Sequence, residues 1–156
     1  MIWKKGNIWF WHKLGHYVVI PTNAGWKLNG DAIMGTGLAQ EASQKHPDLP
    51  KLYGIKCRSY EPYSLFLDQR LVLLPTKRLN QKQPFLSWKA NSEYDYIKEQ
   101  LQKLENDVFL IGAAKAEDKK VYVPILGAGS GHLDKKEIIH IMDTILKNDV
   151  FIGVET

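Results

Sequence analysis

Cysteine is almost absent from this chain. Cys57 stands alone, which excludes an intramolecular disulfide and any metal site built on several thiolates. No apolar run approaches the ~20 residues that span a bilayer, so no membrane partner is expected. Internal repeats, low-complexity tracts and linker-like stretches are also missing, and the 156 residues read as one domain over positions 1–156, long enough to bury a real core. The N-terminal MIWKKGNIWFWHK has neither the long apolar region nor the small-residue cleavage site of a secretory signal, so a cytoplasmic location is expected. Neither sign of charge dominates: 21 Lys and Arg against 17 Asp and Glu leave +4. That balance favours an anionic ligand by long-range attraction without singling out nucleic acid. His12, His16, His46, His132 and His140 lack a ligand-like spacing, so no metal or other cofactor is expected.

What is present alternates between strand and helix. Residues 17–22, YVVIPT, form a β-branched and aromatic run that reads as a buried strand. Residues 35–46 have helix-forming composition and are stopped by Pro47. The apolar runs 64–67 and 70–75 flank Asp68-Gln69, a turn between two strands. Over 92–106, Tyr96, Ile97, Gln100, Leu101 and Leu104 recur at helical spacing, and the pattern extends toward Ala116 either as more helix or as a strand in VFLI. Residues 121–126 are a further strand. Residues 134–147 are a helix announced by Asp134 and Glu137 in a capping-box pattern, and VFIGV is a last strand. The aromatics Trp3, Trp9, Phe10 and Trp11 suit strand packing and the cover of a sheet edge, with base stacking as the alternative. Alternation of this kind predicts an α/β fold with a mixed or mostly parallel sheet between helices.

In such sheets ligands lie beyond the carboxyl ends of the strands. Three segments fall there. Gly127-Ala128-Gly129-Ser130-Gly131 separates a strand from a helix; its glycines permit positive φ and convergent N–H groups, and the helix N-terminus adds positive potential, a setting for a phosphate or diphosphate. It matches neither the dinucleotide fingerprint nor the P-loop. Ile33-Met34-Gly35-Thr36-Gly37-Leu38-Ala39 is a second glycine-rich helix start aimed at the same edge. Leu74-Pro75-Thr76-Lys77-Arg78 ends an apolar strand. On spacing alone the commoner role for such a lysine is a solvated charge. The other is a lysine whose pKa is lowered by apolar walls, freeing its amine as a nucleophile.

Pro21-Thr22-Asn23, Ile33–Ala39, His46-Pro47, Tyr53-Gly54, Pro75-Thr76-Lys77-Arg78, the helix start Glu93-Tyr94 and Pro124–Asp134 together resemble, in order and over nearly the whole chain, the macro domains. Within them the likeness is greatest to the branch of the DarG-type antitoxin and the terminal ADP-ribose glycohydrolase. The resemblance implies a three-layer α-β-α macro domain with a mixed central sheet that binds ADP-ribose. It also implies a hydrolase that releases ADP-ribose from modified DNA bases or protein side chains, without a cofactor. A cognate ADP-ribosyltransferase is an implied partner. By position, Asn7 and Ile8 fall where the family reads adenine, with Asn7 replacing an acidic residue. Asn23, Met34, Gly35, Thr36 and Gly37 fall at the distal ribose, and Gly127, Ala128, Gly129, Ser130 and Gly131 wrap the diphosphate. Lys77 falls at the catalytic lysine, and Thr22, Thr76 and His132 complete the ligand-binding residues that the resemblance implies. The aspartate that follows the glycine loop in the glycohydrolase has no counterpart at Gly131, and Asp134 reads as a helix cap. Two other functions remain open: a non-catalytic ADP-ribose reader, and a phosphatase acting on ADP-ribose 1″-phosphate.

Overall fold

A computed structural model describes residues 1–129 and 131–156. Six strands, β1 (Ile2–Lys5), β2 (Tyr17–Asn23), β3 (Ser64–Phe66), β4 (Leu71–Lys77), β5 (Val121–Pro124) and β6 (Phe151–Glu155), form one sheet in the order β1-β6-β5-β2-β4-β3. Every neighbouring pair is parallel except β3 with β4, which is antiparallel across a four-residue turn, so the sheet is mixed as expected.

Both faces of the central strands are apolar because helices cover both. Val19, Val72, Leu74, Val121 and Val123 point to one side. There they meet α4 (Tyr94–Glu105), α5 (Val108–Ala116) and α6 (Lys135–Ile145) through Ile97, Leu101, Leu110, Ile138 and Met142. Val18, Ile20, Leu71 and Leu73 point to the other side. They meet α1 (Ile8–Lys13), α2 (Leu38–Lys45) and α3 (Leu49–Arg58) through Ile8, Ala39, Ala42, Leu49 and Tyr53. The result is three layers, α-β-α, with one core on each face of the sheet.

Several boundaries differ from the sequence reading. The helix expected over 35–46 starts only at Leu38, because Gly35 and Gly37 hold φ of 64° and 68°, outside the helical region. Pro47 does end it, but Pro50 sits in the first turn of α3, where a missing N–H costs nothing. The helical pattern beyond residue 106 resolves as a separate helix: Asp107 caps α5 by accepting from the Leu110 N–H at 3.0 Å and also receives the Tyr63 hydroxyl. The strand expected over 121–126 stops at Pro124. The N-terminal aromatics divide between two elements. Trp3 on β1 lies against Gly153 and donates to Asp143, while Trp9 and Trp11 belong to α1, with Trp11 stacked on Tyr122 at 4.7 Å between ring centroids.

Candidate functional site

A cleft of about 940 Å³ opens beyond the carboxyl ends of β2, β4 and β5. Its walls bring together twelve of the residues expected at a site: Thr22, Asn23, Met34, Gly35, Thr36, Gly37, Thr76, Lys77, Gly127, Gly129, Gly131 and His132. Ala128 lies between two of them without lining the cleft. Asn7 and Ile8 do not line it either: Asn7 caps α1 just past β1, and Ile8, the first residue of α1, is buried in the core on the face of the sheet that α1 covers. Ser130 lies outside the described residues. Pocket volumes of roughly 300–1,000 Å³ are ordinary for small-molecule sites, so the cleft suits a ligand of nucleotide size.

The floor is set by β2 and β4. Thr22 pairs with Pro75 and Asn23 with Lys77, so Thr76 is the extra residue of a bulge. A bulge re-aims the side chains that follow it. Here it brings Lys77, rather than Thr76, level with Asn23 at the strand ends. Thr76 is buried and its hydroxyl reaches back to the Thr22 carbonyl at 3.4 Å. Asn23 uses its side chain on the neighbouring loop, donating to the Ile33 carbonyl at 3.1 Å and accepting from the Gly25 N–H at 2.9 Å. It therefore fixes the loop that carries Met34–Gly37. The Thr22 hydroxyl is tied to Tyr53 at 2.7 Å, and Tyr53 in turn donates to the Pro62 carbonyl.

Lys77 is half-buried at the mouth. Its ammonium donates to the Trp88 carbonyl at 2.8 Å and makes no ion pair with any described carboxylate. Burial holds its pKa below the ordinary lysine value, because the charged form loses hydration that no counter-charge replaces. Trp88 belongs to a 3₁₀ helix over Pro84–Lys89 that closes one side of the cleft. Ser87, fully buried, fixes this segment: its hydroxyl donates to the Pro84 carbonyl at 2.8 Å and accepts from the Asn80 N–H at 2.9 Å. Only a glycine at 25 permits that approach, since a Cβ there would lie 2.2 Å from the Pro84 carbonyl oxygen.

The two glycine-rich loops differ in electrostatics. α2 begins at Gly37 without a side-chain cap and so leaves its first N–H groups without a side-chain acceptor, although Glu41 in its first turn, held by the Trp9 indole N–H at 2.9 Å, partly offsets their positive potential. α6 is capped. Asp134 accepts from the Lys136 and Glu137 N–H groups at 2.8 and 3.2 Å, and its negative charge offsets that helix end. The sequence reading aimed both helix starts at the ligand edge; the Asp134 carboxylate reduces what the α6 end can contribute there. Nor does the expected capping box close. The Asp134 N–H donates to the Tyr94 hydroxyl at 3.0 Å rather than to Glu137.

Within the described part of the second loop, positive φ occurs at Gly127 (73°) and at His132 (65°). Gly131 is required for a different reason. A Cβ there would meet the Ser92 hydroxyl at 2.3 Å, and the Ser92 N–H donates to the Gly131 carbonyl at 3.2 Å. Ser92 thus joins this loop to the segment that carries Trp88. Sequence reasoning missed Ser87, Trp88 and Ser92, since none lies in a glycine-rich motif or a periodic run. The short apolar group Pro84-Phe85-Leu86 with Trp88, set between polar residues and beside Lys89, was the available signal.

Arg78 faces away from Lys77. It pairs with Glu93 at 2.9 Å and Glu99 at 3.7 Å and covers the Tyr96 ring at 4.6 Å. No group of three or more His, Cys, Asp or Glu that would hold a metal occurs among the described residues.

Sheet order, layers and cleft together define the macrodomain fold. Solved structures carry the likeness: no family model matches the sequence and no curated protein does. The chain is similar to the macrodomain of Thermus aquaticus DarG, at 20% identity over 99% of this chain and 97% of that one, with a TM-score of 0.67. It is similar also to the macrodomain of Mycobacterium tuberculosis DarG, at 22% identity over 90% and 89%, with a TM-score of 0.64. Thermosipho africanus DarTG in complex with ADP-ribose gives 23% identity and a TM-score of 0.59, over 89% of this chain and 37% of that longer one. At such identities the likeness is one of fold.

Proposed function

We propose that this chain binds ADP-ribose in the cleft and acts as an ADP-ribosyl glycohydrolase, with Lys77 as nucleophile. The preferred substrate is ADP-ribose on a DNA base rather than on a protein side chain. The observation that carries this reading is the state of Lys77. A lysine with a lowered pKa, held by a backbone carbonyl and unopposed by a described carboxylate, faces the open volume of a nucleotide-sized cleft. A structural lysine is normally paired with an acid or free in solvent. Support for the ligand comes from the similar fold of a protein solved in complex with ADP-ribose.

In this reading the uncapped start of α2 and the Gly127–Gly131 loop hold the diphosphate, and Asn23 with the Met34–Gly37 loop positions the distal ribose. Asn7 and Ile8 stand outside this cleft and the Asn7 side-chain oxygen is already engaged by the Trp9 N–H at 3.0 Å, so they are given no ligand contact in this reading. The Lys77 ammonium first loses a proton to solvent. Its lone pair then attacks the anomeric carbon, and the bond from that carbon to the base breaks with its electron pair. The proton shed by the attacking nitrogen balances the charge on the departing base. Opening of the ribose ring leaves an imine, which water hydrolyses to free ADP-ribose and the regenerated amine. Positioning of the ribose against the amine supplies much of the acceleration. A cognate ADP-ribosyltransferase in the same, cytoplasmic, compartment would supply the substrate.

The test is release of free ADP-ribose from single-stranded DNA carrying an ADP-ribosylated base, and separately from ADP-ribosylated protein. Release from DNA, lost in Lys77→Ala, is the expected result. Binding of ADP-ribose without release from either substrate would leave a reader in place of an enzyme. Release of inorganic phosphate from ADP-ribose 1″-phosphate would identify the phosphatase instead.

A further inference from the structure

The segment that closes the cleft beside Lys77 is rigid at its base and apolar at its surface. Ser87 is fully buried and hydrogen-bonded on both sides, and Gly25 is pressed against it. Yet the next residue, Trp88, leaves 49% of its surface exposed, and Phe85 leaves 37%. Trp88 lines the cleft, its carbonyl holds the Lys77 amine, and the Lys89 ammonium lies 5.4 Å from its ring centroid. An indole held on a fixed backbone beside a nucleophile, with its ring in solvent, costs hydration and contributes little to the core. Such exposed, preorganised aromatics serve recognition.

We infer that the Trp88 indole and Lys89 form the subsite for the leaving group: the ring receives the face of a flat heterocyclic base, and the ammonium meets a phosphate next to it. The inference rests on the glycohydrolase reading and adds the residues that select the substrate. Base–aromatic stacking tolerates any base, because every base presents a π face, whereas an aliphatic carboxylate side chain has none. The Lys77 contact runs through the Trp88 carbonyl, not its ring, so changing the side chain separates selection from positioning of the nucleophile.

The experiment compares three ligands in the full chain carrying Lys77→Ala: free ADP-ribose, a single-stranded oligonucleotide with ADP-ribose on one base, and a peptide with ADP-ribose on glutamate. Trp88→Ala is expected to weaken the oligonucleotide relative to free ADP-ribose by about tenfold or more, the scale of one lost stacking contact. Trp88→Phe is expected to restore most of that loss. The ratio of peptide to free ADP-ribose is expected to shift by less than about threefold, on the same scale. An equal loss for all three ligands, or no loss for the oligonucleotide, overturns the subsite. Selective weakening of the peptide instead assigns the ring to a protein substrate and also overturns it. Failure of the unaltered chain to bind free ADP-ribose is a separate outcome that removes the proposed function and, with it, this inference.

Discussion

Lys77 combines three features that act on one amine: the bulge at Thr76 that aims it, the carbonyl that orients it, and the burial that lowers its pKa. In the proposed reading its role is chemical rather than one of affinity. Lys77→Ala is therefore expected to change ADP-ribose affinity by less than about tenfold, under ~1.4 kcal/mol, while single-turnover release of ADP-ribose falls by several orders of magnitude. Equal losses in binding and turnover would make Lys77 a binding residue. The pH dependence follows from the same group. Burial lowers the folded-state pKa, so the neutral, nucleophilic form becomes populated at lower pH than for a free lysine. Below that pKa, kcat/KM is expected to rise about tenfold per pH unit and to level off before the ordinary lysine value. A profile flat from pH 6 to 9 would remove the free amine from the rate-determining step.

Elements supply the rest of the site, and their boundaries assign separate roles to neighbouring residues. Asp134 stands close to the glycine loop, yet its carboxylate is engaged at the start of α6. Asp134→Ala is expected to cost about 1 kcal/mol of stability by denaturant unfolding, the usual worth of a cap, with turnover preserved. Turnover lost at full stability would make this residue catalytic. The glycines divide in the same way. Gly127 holds positive φ and a Cβ there would meet Ile97 at 2.7 Å, whereas at Gly129 a Cβ meets nothing within 4 Å. Gly127→Ala is expected to lower stability by about 1–2 kcal/mol. Gly129→Val, by contrast, is expected to leave the fold intact and abolish ADP-ribose binding, because the branched side chain enters the ligand's space. Calorimetry together with thermal unfolding separates the two effects.

The same elements show what the sequence made legible. β2, β4 and β5 stood out because strands buried on both faces are continuous apolar runs. α1 did not, since six aromatic-rich residues resemble a strand and only the Asn7 cap marks a helix. α3 was hidden because Pro47 read as a stop with nothing periodic beyond it, although Pro50 in the first turn of a helix is harmless. Both glycine loops and the strand-end lysine were visible as motifs. The 3₁₀ segment was not, because Ser87 and Gly25 order it through contacts between residues distant in sequence.

For the whole molecule, the formal charge of +4 attracts a polyanion, but its distribution decides which residues meet one. Lys77, Arg78, Lys82 and Lys89 are neighbours in sequence and would all be candidates for phosphate contacts on that ground. The fold separates them. Lys89 lines the cleft beside Trp88, whereas Arg78 is turned to the far side and held by Glu93 and Glu99. A cation already neutralised by two carboxylates releases few counterions when DNA arrives. For a single strand, each phosphate neutralised contributes about 0.7 to the slope of log affinity against log salt. Lys89→Gln is accordingly expected to reduce that slope by about 0.7 for an oligonucleotide carrying an ADP-ribosylated base, and Arg78→Gln to leave it unchanged within error. Free ADP-ribose, titrated alongside, gives the baseline salt dependence of the diphosphate alone. A slope that falls with Arg78→Gln and not with Lys89→Gln would put the DNA strand across the opposite side of the Pro84–Lys89 segment. A slope no steeper than that of free ADP-ribose in the unaltered chain would mean that the protein reads the base-linked ADP-ribose without touching the strand at all.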